Sequence, residues 1–134
     1  MPIEKTYIML KPDCIKRGLI GEVISRIERK GYKILDVKMM SLNEEILREH
    51  YSHLIDKPFF PETVAYMTSG PVIGMIVEGQ NAVIGTRTLM GATEFGEATA
   101  GTIRGDFATS TGHNIIHGSD SVENAKIEIK RFFK

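Results

Sequence analysis

The sequence predicts an α+β sandwich in which one four-stranded antiparallel sheet is covered by helices. Four short apolar runs alternate with helical segments in the order strand, helix, strand, helices, strand, helix, strand, helix. No internal repeat or linker divides the chain. Its 134 residues are close to the usual domain size, so we expect a single core. Two strand-helix-strand halves around one sheet are the simplest assembly, which is a ferredoxin-like βαββαβ fold.

The first elements are two strands that flank one amphipathic helix. Residues 6–10 form an apolar run that stops at Pro12, which predicts a buried strand followed by a turn. In residues 19–27 the apolar side chains recur at helical spacing, and Gly31 is a suitable C-terminal stop. Residues 32–40 alternate in character, which predicts a strand with one covered face and one partly wet face.

The middle of the chain predicts two helices, a buried strand and a further helix. The first helix spans residues 43–54, and Ser41 or Asn43 can cap it. Pro61 suits the first turn of a short helix that ends near Tyr66. The apolar run at residues 72–77 predicts a central strand buried on both faces. We expect the last of these helices at residues 81–90.

The last third begins with a long irregular segment. Residues 91–112 are rich in Gly, Thr, Ala and Ser, and loops of this length are usually functional or disordered. A short strand is expected at residues 114–118, and Asp120 with Glu123 predicts a capping-box start for a final helix. The buried stripe of that helix is predicted to comprise Val122, Ala125, Ile129 and Phe132.

Charge and cysteine content limit the classes of partner. The chain has 17 Lys and Arg against 17 Asp and Glu, which argues against a surface for nucleic acid or an anionic membrane. No apolar run is long enough to span a bilayer, and the first residues lack signal-peptide features. Cys14 is the only cysteine, which favours a reducing, cytoplasmic location. Any phosphate site must therefore use a few local cations.

His117 is the leading candidate for a catalytic residue. It ends a short apolar strand and precedes Gly118, so a rigid scaffold would present the ring where a ligand can approach. Glu128 on the last helix could hold one ring nitrogen and leave the other free to attack. The alternatives are a histidine with only local hydrogen bonds and a solvated helix carboxylate.

Three basic residues and one threonine are candidates for binding phosphate. Arg104 lies between two glycines in the long loop, a setting that suits a cation with little steric cover. Arg87, Lys11 and Thr93 could point to the same space. Each of the four could equally be an ordinary solvent-exposed side chain.

Aromatic residues and histidines in the middle of the chain have two interpretations each. Phe59 and Phe60 could provide a stacking platform for a base, although adjacent aromatics more often split between core and surface. Tyr51 is expected in a helix core with a polar tip. His50 and His53 could share a metal, but no further ligand spacing supports this, and core or solvated roles are favoured.

Five segments carry a resemblance to one enzyme family. They match in order and spacing and are Lys11-Pro12-Asp13, Glu49-His50-Tyr51, Lys57-Pro58-Phe59-Phe60, 101–107 and 114–121. Along nearly its whole length the sequence resembles the nucleoside diphosphate kinases, and its short C-terminus is similar to that of bacterial members. The resemblance implies one catalytic domain over residues 1–134. It also implies that His117 takes a phosphoryl group from a nucleoside triphosphate, typically ATP, and passes it to a diphosphate.

The resemblance also implies a role for each candidate residue. Lys11 and Asn114 would bind the ribose hydroxyls, and Tyr51 with Lys11 would contact the reacting phosphoryl group. The phosphates would be bound by Arg87, Thr93 and Arg104. Phe59 would stack on the base, which explains a broad specificity, and Glu128 with Ser119 would orient the imidazole. Mg²⁺ is implied as the cofactor, bound through the nucleotide phosphates with no direct protein ligand.

Four positions depart from the family pattern. Cys14 stands where a glycine is usual, Glu94 and Phe95 stand where Asn or Asp and then Pro are usual, and Ala100 replaces a common proline. Each lost proline costs about 0.4 to 1 kcal/mol where the native backbone angles suit proline. Family members use this loop in a three-fold contact, and a homo-oligomer, either a tetramer or a hexamer, is expected.

Two other functions were weighed against the kinase. The first is a non-catalytic ferredoxin-like module that binds a nucleotide or RNA, but residues 72–77 and 114–117 lack the aromatic side chains of RNA-recognition sheets. The second is a regulatory phosphohistidine protein, whose catalytic set should be incomplete.

Overall fold

The computed structural model describes residues 2–133, apart from the side chain of Phe95. Its sheet is formed by β1 (Ile3–Leu10), β2 (Lys33–Met40), β3 (Val72–Gln80) and β4 (Ile116–Gly118). The strands lie in the order β2-β3-β1-β4, and every neighbouring pair is antiparallel. This confirms the predicted four-stranded antiparallel sheet. The long central strands are the two that the apolar runs predicted to be buried.

Seven α-helices connect the strands of the described chain. They are α1 (Pro12–Lys16), α2 (Ile20–Arg29), α3 (Glu44–His50), α4 (Phe60–Met67), α5 (Ala82–Met90), α6 (Ile103–Phe107) and α7 (Val122–Phe132). Short 3-10 helices occur at Ser52–Leu54 and Phe95–Glu97. No helix of residues 2–133 is long and apolar enough to cross a membrane.

The side chains of β1 alternate between two apolar clusters, one on each face of the sheet. Ile8 and Leu10 pack with residues of α2 and α5 on one face. Tyr7 and Met9 pack with residues of α3, α4 and α7 on the other. Because successive strand residues point to opposite faces, a strand covered on both sides must be apolar throughout. Helices therefore cover both faces of the central strands.

Two helices lie where the sequence predicted a turn or a loop. Residues 12–16 form α1, because a proline in the first turn loses only an N–H that has no partner within the helix. In the predicted irregular segment, residues 103–107 form α6, where the Thr102 side chain accepts a hydrogen bond from the Gly105 N–H. Both helices are only five residues long, too short for a periodic pattern to reveal.

The ends of three helices refine the predictions. The predicted helix at 43–54 stops at His50 and continues as a 3-10 turn, and Asn43 rather than Ser41 caps it. Phe60 is buried and Phe59 is 48% exposed, so the pair splits as expected. At the last helix the cap is Ser121, not Asp120, and Val122 is exposed rather than buried. The helix begins one residue later than the capping-box pattern predicted, so Val122 is its first residue and lies at the exposed end of the stripe.

Strand β2 lies at the edge of the sheet and exposes apolar side chains. A register shift between Ile34 and Asp36 interrupts its pairing with β3. Leu35, Val37 and Met39 are between 40% and 58% exposed. The alternation predicted a strand with one covered face, but in the described residues 2–133 these three side chains are exposed. Exposed apolar side chains on an edge strand are a common site of association.

Candidate active site

The candidate site is a cleft of about 430 Å³ that opens beside the end of β4. A second cavity of about 550 Å³ adjoins it. The two share the side chains of Lys11, Tyr51, Thr93 and Asn114. The first cleft is also lined by Arg87, Arg104, His117 and Glu128, and Phe59 lines the second cavity. Residues from distant segments of the chain therefore converge on one site.

His117 is fixed by the sheet and by a carboxylate from α7. In the register of β1 and β4 it pairs with Met9, and its Nε2 lies 2.7 Å from Glu128 Oε1. The same oxygen accepts a hydrogen bond of 2.8 Å from the hydroxyl of Ser119, which is fully buried. Both contacts are short enough to fix the orientation of the imidazole ring.

The protonation of Glu128 determines which nitrogen of His117 is free. Burial alone would raise the pKa of Glu128, but hydrogen bonding and charge from His117 and a hydrogen bond from Ser119 outweigh it, and the pKa is lowered. The carboxylate is therefore ionised at neutral pH and can only accept. Consequently Nε2 of His117 carries the hydrogen, and Nδ1 keeps the lone pair that a nucleophile requires.

A strained turn connects β4, which carries His117, to Lys11 of the cleft. Ile115 has a φ of 76°, which is rare for a β-branched residue, and the Ile116 N–H donates to the Asn114 carbonyl two residues before it. The Lys11 N–H donates to the Ile115 carbonyl. Such strain costs about 1 to 3 kcal/mol and clusters at functional sites. The turn aims the Asn114 side chain at Lys11, whose Nζ donates to Asn114 Oδ1 at 2.8 Å.

The charge state of Lys11 depends on its surroundings in the cleft. Burial and the nearby charge of Arg104 lower the pKa of Lys11 to about 8, against a smaller opposing effect of Asp13. A lysine with this pKa is mainly charged at neutral pH but loses its charge in mild alkali. Tyr51 behaves differently, because burial and the charge of Glu128 raise its pKa to about 12 and keep the phenol a neutral donor.

Arg104 is more buried than the sequence predicted. It was expected to have little steric cover, but it is 6% exposed and lies in α6. Its Nη1 donates to the Gly91 carbonyl and its Nη2 to the Ile116 carbonyl. Burial and the charge of Arg87 lower its pKa to about 10, which leaves the group charged at neutral pH. Of the two flanking glycines, Gly105 allows close packing, because a Cβ there would collide with the backbone of Thr99, whereas Gly101 has a positive φ of 97° and open space around it.

Arg87 and Thr93 lie at the open side of the cleft. Arg87 is half-buried, and its Nη1 donates to the Gly118 carbonyl at 3.0 Å, next to His117. Thr93 is exposed between the two cavities. The structure thus brings Arg87, Arg104 and Lys11 to one cleft although the net charge of the chain is zero.

The sequence pattern gave little indication of His50 and none of Arg131, although both lie beside the cleft. His50 is 8% exposed, and its ring packs edge to face against the ring of His117, with centroids 4.9 Å apart. Arg131, near the end of α7, lies with its Nη1 2.9 Å from His50 Nδ1. The only signal for His50 was its place in the segment before Tyr51. His53 is exposed and His50 is buried, which agrees with the favoured solvated and core roles rather than with a shared metal.

A histidine with a carboxylate behind it, in a cleft lined by a lysine and two arginines, is the arrangement of a phosphotransferase. A family model described as nucleoside diphosphate kinase matches residues 4–134. The chain belongs to the nucleoside diphosphate kinase family. It is an enzyme of the kinase class of transferases, and nucleotides are the substrates of that family.

Individual relatives agree with this assignment. The chain is 52% identical over 131 residues to the nucleoside diphosphate kinase of Archaeoglobus fulgidus, covering 98% of this chain and 87% of that one. It is also 52% identical to nucleoside diphosphate kinase 2, chloroplastic, of Pisum sativum, of which it spans only 57%. The solved structure of a halophilic nucleoside diphosphate kinase from Halobacterium salinarum in complex with CDP superposes with a TM-score of 0.95 at 47% identity. That match covers 99% of this chain and 89% of the other.

Proposed function

We propose that residues 1–134 act as one catalytic domain that transfers the γ-phosphoryl group of a nucleoside triphosphate, typically ATP, to a nucleoside diphosphate. The transfer proceeds in two half-reactions through a phosphohistidine at His117. The observation that carries the proposal is the 2.7 Å contact between His117 Nε2 and Glu128, which favours the Nε2–H tautomer of the neutral ring and so leaves the lone pair on Nδ1. A nucleophile oriented by a second group splits one difficult transfer into two easier steps.

In the first half-reaction Nδ1 attacks the γ-phosphorus. A P–N bond forms, the bond from phosphorus to the bridging oxygen breaks, and its electron pair leaves with the nucleoside diphosphate. In the second half-reaction a terminal oxygen of another diphosphate attacks the same phosphorus, and the P–N electron pair returns to Nδ1. The proton on Nε2 stays with the histidine throughout, because ionised Glu128 stabilises it there.

The cations of the cleft are proposed to neutralise the phosphates. Arg87 and Arg104 would bind the phosphate oxygens together with the Thr93 hydroxyl, and Lys11 with the Tyr51 phenol would contact the transferred group. Charge-assisted hydrogen bonds from fixed donors stabilise developing negative charge without reorganisation during the reaction. The pKa of Arg104 at about 10 keeps its charge at neutral pH.

The ribose and the base are proposed to occupy the adjoining cavity. Asn114 and Lys11, which lie between the two cavities, would bind the ribose hydroxyls. Phe59 would stack on the base, since its ring is 48% exposed at the cavity wall. Stacking accepts every base, because each has a π face, and this favours broad specificity for base and sugar.

Mg²⁺ is proposed as the cofactor, bound through the nucleotide phosphates. The donor set of the cleft fits this arrangement: among residues 2–133, the grouped metal-ligating side chains are His50, His117 and Glu128, which offer two nitrogens and one carboxylate. Mg²⁺ prefers oxygen ligands and usually binds through substrate phosphates. The ion would supply charge neutralisation on the phosphates. Lys11, Arg87 and Arg104 would share that task.

A homo-oligomer, tetramer or hexamer, in the cytoplasm is proposed. The apolar side chains of Leu35, Val37 and Met39 on β2 support association, because they are exposed in the part of the chain that the structure describes. The free, buried thiol of Cys14 is compatible with a reducing compartment. Light scattering at several protein concentrations will give the oligomeric state.

One experiment tests the proposed function. The purified protein is incubated with γ-labelled ATP and Mg²⁺ without an acceptor, and we expect an acid-labile, labelled protein that GDP discharges to labelled GTP. The His117→Ala variant serves as the control and should take up no label. If that variant takes up label, or if label remains after GDP is added, the proposal is wrong. Label that stays bound would instead favour the regulatory phosphohistidine protein, and the absence of any label would favour the binding module.

A further inference from the structure

His50, His117 and Glu128 form a group that has the composition of a transition-metal site. One potential ligand atom from each of the three side chains lies within 4.8 Å of the others, and Nε2 of His50 has no hydrogen-bond partner. Two imidazoles and one carboxylate can bind Zn²⁺ when each imidazole offers a lone pair. A metal here would occupy the proposed nucleophile and block phosphoryl transfer.

Arg131 determines whether His50 can offer that lone pair. Its Nη1 lies 2.9 Å from His50 Nδ1. A guanidinium group has only donors and stays protonated, so Nδ1 must be the acceptor of this hydrogen bond. The neutral ring then carries its single hydrogen on Nε2, and neither nitrogen keeps a lone pair for a metal ion. Ligating histidines show the opposite pattern, since their second nitrogen donates to an acceptor.

We propose that Arg131 fixes His50 in the neutral Nε2–H tautomer, so that His50 positions the ring of His117 without completing a metal site around it. The inference rests on the proposed role of His117 as the nucleophile. Arg131 and His50 are positioning residues in this account. Neither touches the reacting atoms.

The surroundings of His50 agree with a permanently neutral ring. Burial lowers the pKa of His50 to about 3, with a further contribution from the charge of His117 and an opposing one from Glu128. Its ring is also packed edge to face against Tyr51 and Phe132. The titratable or charged groups that act on it are Lys11, His117, Glu128 and Arg131. A fixed neutral ring can restrict rotation of His117 and adds no charge beside it.

Arg131 is itself held in place by its neighbours. Its side chain is 12% exposed, and its Nε lies 3.5 Å from the carboxylate of Glu49, which is largely exposed. This contact is an ion pair and not a hydrogen bond, and with an exposed carboxylate it contributes little to stability. The contact joins the end of α7, which also carries Glu128, to the helix that ends at His50.

The first test determines the tautomer directly in the unmodified protein. Long-range ¹H–¹⁵N NMR spectra at neutral pH and without nucleotide should show the hydrogen of His50 on Nε2 and a lone-pair shift for Nδ1. In the Arg131→Met variant the populations of the two tautomers should shift toward Nδ1–H. A hydrogen on Nδ1 in the unmodified protein overturns the proposal. This measurement needs no variant, so it decides the question even if Arg131→Met fails to fold.

The second test measures metal binding with Co²⁺, whose visible absorption reports coordination, and with Zn²⁺ as a competitor. We expect Arg131→Met to bind Co²⁺ at least about 10-fold more tightly than the unmodified protein, the scale of a ligand-orienting effect. Arg131→Lys, which keeps a donor at this position, should behave like the unmodified protein. The double variant Arg131→Met with His50→Gln should lose the gain, because the added ligand is absent.

The outcomes separate this inference from the proposed function. Equal Co²⁺ affinity in the unmodified protein and in Arg131→Met, or a gain that persists in the double variant, overturns the inference. Neither the NMR nor the Co²⁺ readout depends on phosphoryl transfer. If His117 takes up no phosphoryl group while the tautomer and the Co²⁺ gain are as expected, the proposed function fails and the account of Arg131 stands.

Discussion

Glu128→Ala removes the group that orients the proposed nucleophile. In the native site Glu128 Oε1 lies 2.7 Å from His117 Nε2 and accepts from Ser119 Oγ at 2.8 Å. Without the carboxylate, nothing selects the Nε2–H form of His117, and the Nδ1 lone pair is no longer fixed toward the cleft. We therefore expect the rate of phosphohistidine formation to fall, with little change in nucleotide binding, because Glu128 is not among the proposed phosphate ligands.

The size of the effect follows from the bond that is lost. A hydrogen bond to a charged group contributes about 1.5 to 3 kcal/mol. If that energy is present only when His117 is correctly oriented, the rate falls about 10- to 150-fold. Ser119→Ala removes one neutral donor and leaves the contact between His117 and Glu128, so its rate should fall only about 2- to 10-fold.

Rapid-quench measurement with γ-labelled ATP and no acceptor gives this rate directly. Thermal unfolding of each variant provides the control for folding, since Ser119 is fully buried and loses its main partner in Glu128→Ala. A Glu128→Ala variant that is folded and becomes labelled at the unmodified rate would falsify the assigned orientation. A larger loss in Ser119→Ala than in Glu128→Ala would also contradict it.

Three further predictions concern other parts of the site. Phe59→Ala should raise KM by about 5- to 150-fold for every base tested, since stacking contributes about 1 to 3 kcal/mol, and a change for one base alone contradicts the stacking role. The kcat/KM should fall as the pH rises through about 8, where Lys11 loses its charge, and Lys11→Arg should lack this alkaline fall even if its activity is lower. Arg26→Met removes a 2.7 Å ion pair with Asp106 and a contact over Phe107, which tie α2 to the short helix of Arg104. In steady-state assays this variant should raise KM more than it lowers kcat. An unchanged KM would show that the contacts between α2 and α6 do not position Arg104.

The sheet and its long helices could be predicted because they bury regular patterns. The run at residues 72–77 is apolar throughout, and β3 is covered on both faces accordingly. Helix α2 has its apolar residues at helical spacing and begins and ends within a few residues of the prediction. The short helices α1 and α6 could not be predicted in this way, since five residues contain little more than one turn.

Local sequence was less informative about the cleft. Arg104 between two glycines indicated an exposed cation, whereas its donors bind the carbonyls of Gly91 and Ile116 in the folded chain. Apart from its place before Tyr51, His50 had no local signal of function, because its neighbours in the site, His117 and Arg131, lie far along the chain. Such contacts depend on how α7 packs against the sheet and α3. Only the resemblance to a family indicated that these segments act together.

The sequence pattern also does not predict which apolar side chains are exposed. The alternation of residues 32–40 correctly predicts β2, but it does not reveal that Leu35, Val37 and Met39 are exposed among the described residues. A pattern of polarity indicates a face to be covered and does not identify what covers it. The same reasoning explains Val122, which is apolar and lies outside the buried stripe of α7.

The central claim is that Nδ1 of His117 carries the phosphoryl group while Nε2 stays bound to Glu128. The most direct measurement is NMR of the ¹⁵N-histidine-labelled protein after reaction with ATP and Mg²⁺ and removal of nucleotide. We expect a phosphorus-to-nitrogen coupling at Nδ1 of His117, a hydrogen that remains on Nε2, and loss of the coupling when GDP is added. Phosphorus bonded to Nε2, or to any other residue, would contradict it.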